Sequence, residues 1–217
     1  MKIIAISDLH WPENKEKIGY LAKKINSSNA DVLAIPGTDC DSTKWITEIL
    51  GLLNPFKGDK LYTPGNHDLL LNRINCTKEA GEDIIYNEFF KRFSVDLKES
   101  IEKLNFQYLI NKPFIKENVG FVGTIDFENK TTPREIRFSN FCQKKLEEQI
   151  ESITPYVDRI TLISHFIPPM DIIKKYGKIK DVIYGHIHNN GKIKVDGINY
   201  YNVAFNSNKL EPSIMEI

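Results

Sequence analysis

Five short apolar runs, rich in β-branched residues, constrain this chain more than any other feature. They occupy residues 2–7, 31–35, 60–63, 159–164 and 181–184. Each is shorter than an ordinary helix and largely apolar at successive positions, the pattern of a strand covered on both faces. The segments between them carry a different period. Residues 14–27 place Ile18, Leu21, Ala22 and Ile25 on one helical face. Residues 42–53 do the same with Ile46, Ile49, Leu50 and Leu53, behind Ser42 as the N-cap. Residues 134–152 also read as a helix, and 82–104 as one or two charged helices. Residues 106–127 hold strand-like pieces, including Val119 to Gly123. Near the C-terminus, Asp196-Gly197 joins two strand-like runs as a hairpin turn. Strand-helix-strand alternation predicts an α/β fold with a largely parallel sheet. No repeat or linker divides the 217 residues, so one domain over 1–217 is expected.

The strands end in chemically related loops. The first is followed by Asp8-Leu9-His10, the second by Gly37-Thr38-Asp39-Cys40-Asp41, and the third by Gly65-Asn66-His67-Asp68. The fourth leads into His165 and the fifth into Gly185-His186-Ile187-His188. The chain has five histidines, and every one follows a predicted strand. Ligands of open α/β sheets gather beyond the carboxyl ends of the strands. One such histidine is ordinarily a polar loop residue, and Asp8, Asn66 or Asp41 alone could cap a helix or make a turn. Five placements on one face are far harder to dismiss. Imidazole together with carboxylate suits divalent transition metals.

In this order the loops resemble the calcineurin-like metallophosphoesterases, whose pattern is Asp-x-His, Gly-Asp-x-x-Asp, Gly-Asn-His-Asp/Glu, a separate His, and Gly-His-x-His. The resemblance spans residues 8 to 188 and departs only in the second block, where Thr38 stands in place of the aspartate. It implies a four-layer αββα sandwich, two mixed β-sheets flanked by helices. It also implies a hydrolase of phosphoester bonds, acting as phosphodiesterase or phosphomonoesterase through a dinuclear metal centre and a bridging hydroxide. Asp8, His10 and His188 would hold one divalent ion, and Asn66, His165 and His186 the other. His67 would stand beside the substrate phosphate, oriented by Asp68. Mn, Fe, Zn, Ni and Co all suit this ligand set. An aspartate of the second block should bridge the ions. Asp39 is the favoured bridge, because Gly37 permits backbone angles closed to other residues and a bulge can re-aim a side chain. The alternative has Thr38 facing the metals with a neutral hydroxyl. Asp41 is then left to support the loop or cap the next helix.

A short single domain with zero net charge mildly favours a phosphorylated small molecule or nucleotide as substrate. Lys+Arg and Asp+Glu both number 29, which mildly disfavours long nucleic acid as partner without excluding it. No apolar run approaches a membrane span, and three unpaired cysteines suit a reducing compartment, so the cytoplasm is expected. Cys40 reads as a packed thiol. Lys174, Lys175, Lys178 and Lys180 form a basic cluster that could draw an anion or simply face solvent. Trp11 could line the substrate pocket or pack, and residues 69–116 could form a cap or lid. The rival reading is a catalytically impaired scaffold of the same fold that binds proteins.

Overall fold

The computed structural model describes residues 1–68, 97–110, 112–125, 133–188, 191–205 and 210–217, without the side chains of 133–135 and 137. Its strands form two sheets. The first runs β11 (Ser213–Glu216), β1 (Lys2–Ala5), β2 (Val32–Pro36), β3 (Asp59–Thr63), β4 (Phe106–Tyr108). The second runs β5 (Phe114–Lys116), β6 (Val119–Thr124), β7 (Arg159–Ser164), β8 (Ile179–Tyr184), β10 (Ile198–Asn202), β9 (Gly191–Val195). The inner pairings are parallel. β11, β5 and β9 add antiparallel edges. Both sheets are therefore mixed, and two of them replace the single sheet that strand alternation alone suggests.

Period-two alternation explains the stacking. Ile3 and Ala5 of β1 join Val32, Ala34 and Leu61 against Phe121, Ile163, Ile183 and Tyr201 of the other sheet. The intervening Ile4, with Leu33, Ile35 and Tyr62, faces outward onto α1 (Lys15–Asn26) and α2 (Thr43–Leu53) through Ile18, Leu21, Ile25, Ile46 and Ile49. On the far side, Val122, Leu162, Val182 and Tyr200 pack on α3 (Pro133–Ile153) and α4 (Met170–Lys175). The layers are thus helix, sheet, sheet, helix. Burial on both faces is why the inner strands read as continuous apolar runs.

Between β9 and β10 the turn at Asp196 and Gly197 has φ of 50° and 83°, the doubly left-handed form that suits a two-residue hairpin. Within the candidate cap, residues 69–96 and 111 lie outside the described residues. Phe106–Tyr108 and Phe114–Lys116 are edge strands of the two sheets. Much of the anticipated helical stretch at 82–104 likewise lies outside the described residues. Among the described residues, no helix is long and apolar enough to cross a membrane.

At their carboxyl ends the sheets are stitched together. Ser7, just past β1, bridges to Ala204, just past β10. Ser7 N–H donates to Val203 O at 3.1 Å, and Phe205 N–H donates to Ser7 O at 2.9 Å. The seam brings the loop after β1 beside the loops after β8 and β10.

Candidate metal centre

The loops after β1, β2, β3, β7 and β8 meet at this end of the sandwich. His10 Nε2 lies 3.3 Å from His188 Nε2, and His10 Nδ1 lies 3.0 Å from Asp39 Oδ2. Ligand atoms of His10, Asp39 and His188 all fall within 4.8 Å of one another. Beside them, His165 Nε2 is 3.9 Å from Asp8 Oδ1, and the His165 and His186 rings are 5.2 Å apart. His67 Nε2 is 3.3 Å from Asp39 Oδ1. Asn66 is half-buried in the adjoining loop.

Donor chemistry tests whether this set suits cations. Asp8 Oδ1, Asn66 Oδ1 and His165 Nε2 are buried without a hydrogen-bond partner. Each such unsatisfied atom ordinarily costs about 1–3 kcal/mol, so buried polar atoms are nearly always paired. These three are electron-pair donors of the kinds that bind divalent ions. Their neighbours hold the remaining atoms. Asp8 Oδ2 accepts from the Ser7 hydroxyl and from His186 N–H, the latter at 2.9 Å. His165 Nδ1 lies 3.0 Å from Pro36 O. A carbonyl can only accept, so the ring proton sits on Nδ1 and the Nε2 lone pair stays free, the usual arrangement of a ligating histidine. The residues fit the metals that the resemblance implies.

The loops are bent into uncommon backbone to achieve this. Asp8, His10, Asp39 and His186 have φ of 55°, 48°, 58° and 64°. Left-handed backbone costs a non-glycine residue roughly 1–2 kcal/mol, and such strain clusters at functional sites. Two glycines make room. Gly37 has φ of 87°, and a Cβ there would stand 2.5 Å from His165 Nδ1. A Cβ on Gly185 would stand 2.4 Å from Asp8 Oδ2.

Thr38 and Asp39 part company at this bend. Thr38 is fully buried and turned from the cluster; its hydroxyl donates to Asp68 Oδ1 at 2.6 Å. Asp39 points its carboxylate between His10 and His67. Burial pushes the Asp39 carboxyl up, but the His10 hydrogen bond and the nearby imidazoles outweigh it and lower the group from its ordinary value. The same hydrogen bond raises His10 above the usual imidazole value.

The hydrogen bonds of Asp68 run to groups other than the His67 ring. Fully buried, Asp68 accepts from Thr38 N–H and Oγ1, Cys40 N–H, Tyr62 Oη and Gly65 N–H. It clasps the second loop to the third. The carboxylate on His67 Nδ1 is Asp41, at 2.8 Å. Asp41 is thus not a helix cap, and the N-cap Ser42 makes no side-chain capping bond. Asp41 lies 26 residues from His67 in sequence, and the bend of the second loop brings the two together. Ser7 and Tyr62 were not anticipated; a serine directly before Asp-x-His was the available signal for the former.

Other expectations resolve more simply. Burial, followed by the Asp68 charge, pushes the Cys40 thiol up to about 12, as for a packed, unreactive cysteine. Trp11 is buried and donates from Nε1 to Glu48. The lysine cluster is largely spoken for. Lys174 pairs with Asp196 and Lys175 with Glu147, while Lys178 donates to Thr154 O and Val157 O.

A sequence model of the calcineurin-like phosphoesterases matches residues 1–190, and the chain belongs to that family. No curated protein matched it as a relative. The fold is similar to that of phosphopantetheinyl hydrolase from Mycobacterium tuberculosis, at 15% identity and TM-score 0.63, covering 94% of this chain and 89% of that one. It is also similar to the protein TT1561 of Thermus thermophilus, at 10% identity and TM-score 0.64, covering 99% and 97%. A third similar structure, a novel archaeal phosphodiesterase, has 17% identity and TM-score 0.50 with 99% of both chains covered. Membership of the family makes the protein a phosphoester hydrolase in general terms.

Proposed function

We propose that the protein hydrolyses a phosphorylated small molecule or nucleotide and requires two divalent transition-metal ions. The observation that carries this reading is the trio of buried, unpartnered donor atoms on Asp8, Asn66 and His165. Asp8, His10 and His188 would hold one ion and Asn66, His165 and His186 the other, with Asp39 able to serve both. When bound, the ions would supply charge that clamps phosphoryl oxygens and acidifies water. This chain's own residues do the rest. His67 Nε2 hydrogen-bonds the phosphoryl group and donates a proton to the leaving alkoxide. Asp41 accepts from His67 Nδ1, which keeps the ring turned. Asp68 acts on the loops and takes no part in proton transfer. A phosphorylated small molecule accords with the similarity in fold to the phosphopantetheinyl hydrolase of Mycobacterium tuberculosis.

The scaffold reading rested on Thr38. With that hydroxyl committed to Asp68 and the Asp39 carboxylate among the histidines, it loses its motive. The test is metal content after purification, then turnover of a chromogenic phosphodiester and phosphomonoester. Chelation should abolish turnover and added Mn²⁺ should restore it. Undiminished turnover by demonstrably metal-free protein would refute the reading.

A further inference from the structure

We infer that Asn202 is a positioning residue that aims His186 and His188 at the metal centre. The inference rests on the metal reading above. It begins with the backbone between the two histidines. Ile187 N–H donates to Gly185 O at 2.7 Å, closing a three-residue turn on His186, whose φ is 64°. A turn of this kind with positive φ at its centre is the rare, strained form. Strained backbone persists only where its surroundings over-determine it.

Two side chains provide that restraint, one on each side of the strained residue. Ahead of it, His186 N–H donates to Asp8 Oδ2 at 2.9 Å. Behind it, the Ile187 carbonyl accepts from Asn202 Nδ2 at 2.6 Å. Asn202 is itself fixed. It ends β10 at 4% exposure, and its Oδ1 accepts from Ala204 N–H at 3.1 Å. Ala204 in turn is bridged to Ser7, the neighbour of Asp8. One carboxamide therefore ties the histidine loop to the seam that carries Asp8.

Ile187 is the residue between the two histidines, and its side chain is exposed. Ile187 is therefore held through its carbonyl rather than through its side chain. Releasing that carbonyl lets His186 return to ordinary backbone angles, which swings both imidazoles. Because the two histidines serve different cations in the proposed centre, both affinities should fall together. Loss of an orienting partner of a metal ligand typically costs about 10–100-fold in affinity.

Asn202→Asp is nearly isosteric. It keeps an acceptor for Ala204 N–H but sets a carboxylate oxygen against the Ile187 carbonyl. Asn202→Ala is the second variant, should the first fail to fold. The control is Gln149→Leu, a buried substitution away from the centre; the Gln149 side chain bonds Gly123 and Ile110 backbone atoms. All are full-length. Co²⁺ affinity is measured by chelator competition, the Co²⁺ d–d spectrum is recorded, and urea midpoints are taken in chelator. Expected are weakening of both Co²⁺ affinities by about 10–100-fold and an altered spectrum in the Asn202 variants. Gln149→Leu should lower the urea midpoint and leave spectrum and affinity as in wild type. A folded Asn202 variant with wild-type Co²⁺ affinity and spectrum overturns the inference alone. A wild-type chain that binds no Co²⁺ overturns the metal reading and this inference with it.

Discussion

Asp68→Asn separates two roles for one buried carboxylate. As a loop clasp, Asp68 receives three donors on Oδ2 (Thr38 N–H, Tyr62 Oη and Gly65 N–H) and two on Oδ1 (Thr38 Oγ1 and Cys40 N–H). An asparagine has one acceptor oxygen, and it should keep the side with three donors. Its amide then faces the other two. Thr38 can rotate its hydroxyl to accept, but Cys40 N–H cannot, so at least one backbone donor is stranded in a buried place. A bond to a charged partner contributes about 1.5–3 kcal/mol, and an orphaned buried donor costs about 1–3 kcal/mol. The surviving bonds also lose their charge assistance. A loss of about 3–5 kcal/mol follows, a large share of an ordinary domain's stability. The assay is urea unfolding in chelator, which removes metal linkage from the comparison. Slopes should match and only the midpoint should fall. Suppose instead that Asp68→Asn unfolds within about 1 kcal/mol of wild type, binds metal normally and has lost turnover. The clasp would then be wrong, and Asp68 would be the partner of His67 that its place in the motif suggests.

Asp41→Asn should leave metal content unchanged and lower kcat by about 10-fold, less than the roughly 10²–10⁴-fold of a general acid itself because Asp41 only orients His67 and is half-exposed; an unchanged kcat on a substrate with a poor leaving group would sink the His67–Asp41 pairing. Gly65→Ala places a Cβ 2.9 Å from the His165 ring, so the cation assigned to Asn66, His165 and His186 should bind about 10–100-fold more weakly by metal titration while the other is retained; two unaltered affinities would contradict the slot. In metal-free protein, raised His10 stabilises fully below its ordinary 6.5 and ceases to do so as pH rises through its folded value, whereas lowered Asp39 stabilises above its ordinary 3.8 and ceases to do so as pH falls through its folded value. The pair's contribution is therefore fullest between about pH 4 and 6.5, and the difference in urea midpoint between wild type and Asp39→Asn, both in chelator, should shrink from pH 6 to pH 8.5; a growing difference would reverse the sign.

The sequence disclosed the ligand-bearing strand ends because two simple signals coincide there. Strands buried on both faces are unbroken apolar runs, and polar residues that follow them must lie at the sheet's carboxyl edge. Edges lack the first signal. β11 buries only Met215 of its four residues, and β5 is a three-residue strand with none buried, so neither stands out. The partners of the ligands lack the second signal. Ser7 stands directly before Asp8 and Tyr62 lies six residues before Asp68, but both sit inside the apolar strand runs and do not stand out, while Asn202 acts on the Ile187 carbonyl that the fold brings near. Asn202 did leave a trace: an amide amid the aromatic and apolar residues 198–205 will be buried, and a buried amide needs partners. Which atoms satisfy it depends on the seam between the sheets. Asp41 and Asp68 show the same limit. Asp68 adjoins His67 in sequence and Asp41 does not, yet the turn of the loop after β2 is what sets Asp41 on the His67 ring.

That turn also explains how a carboxylate one residue late can still reach the centre. In extended backbone, adjacent side chains point to opposite faces, so Thr38 and Asp39 cannot both be served by a straight continuation of β2. The loop instead places Gly37 and Asp39 in the left-handed region on either side of Thr38. Thr38 is then directed inward, where its N–H and hydroxyl both donate to Asp68, and Asp39 is directed to His10 and His67. The strain at Asp39, roughly 1–2 kcal/mol, is smaller than the combined strength of two charge-assisted bonds to a buried carboxylate, each about 1.5–3 kcal/mol. Asp68 therefore sets the register of the second loop. An aspartate at position 38 would meet the Asp68 carboxylate where the threonine now donates to it, so the displaced motif and the clasp beneath it belong to one arrangement.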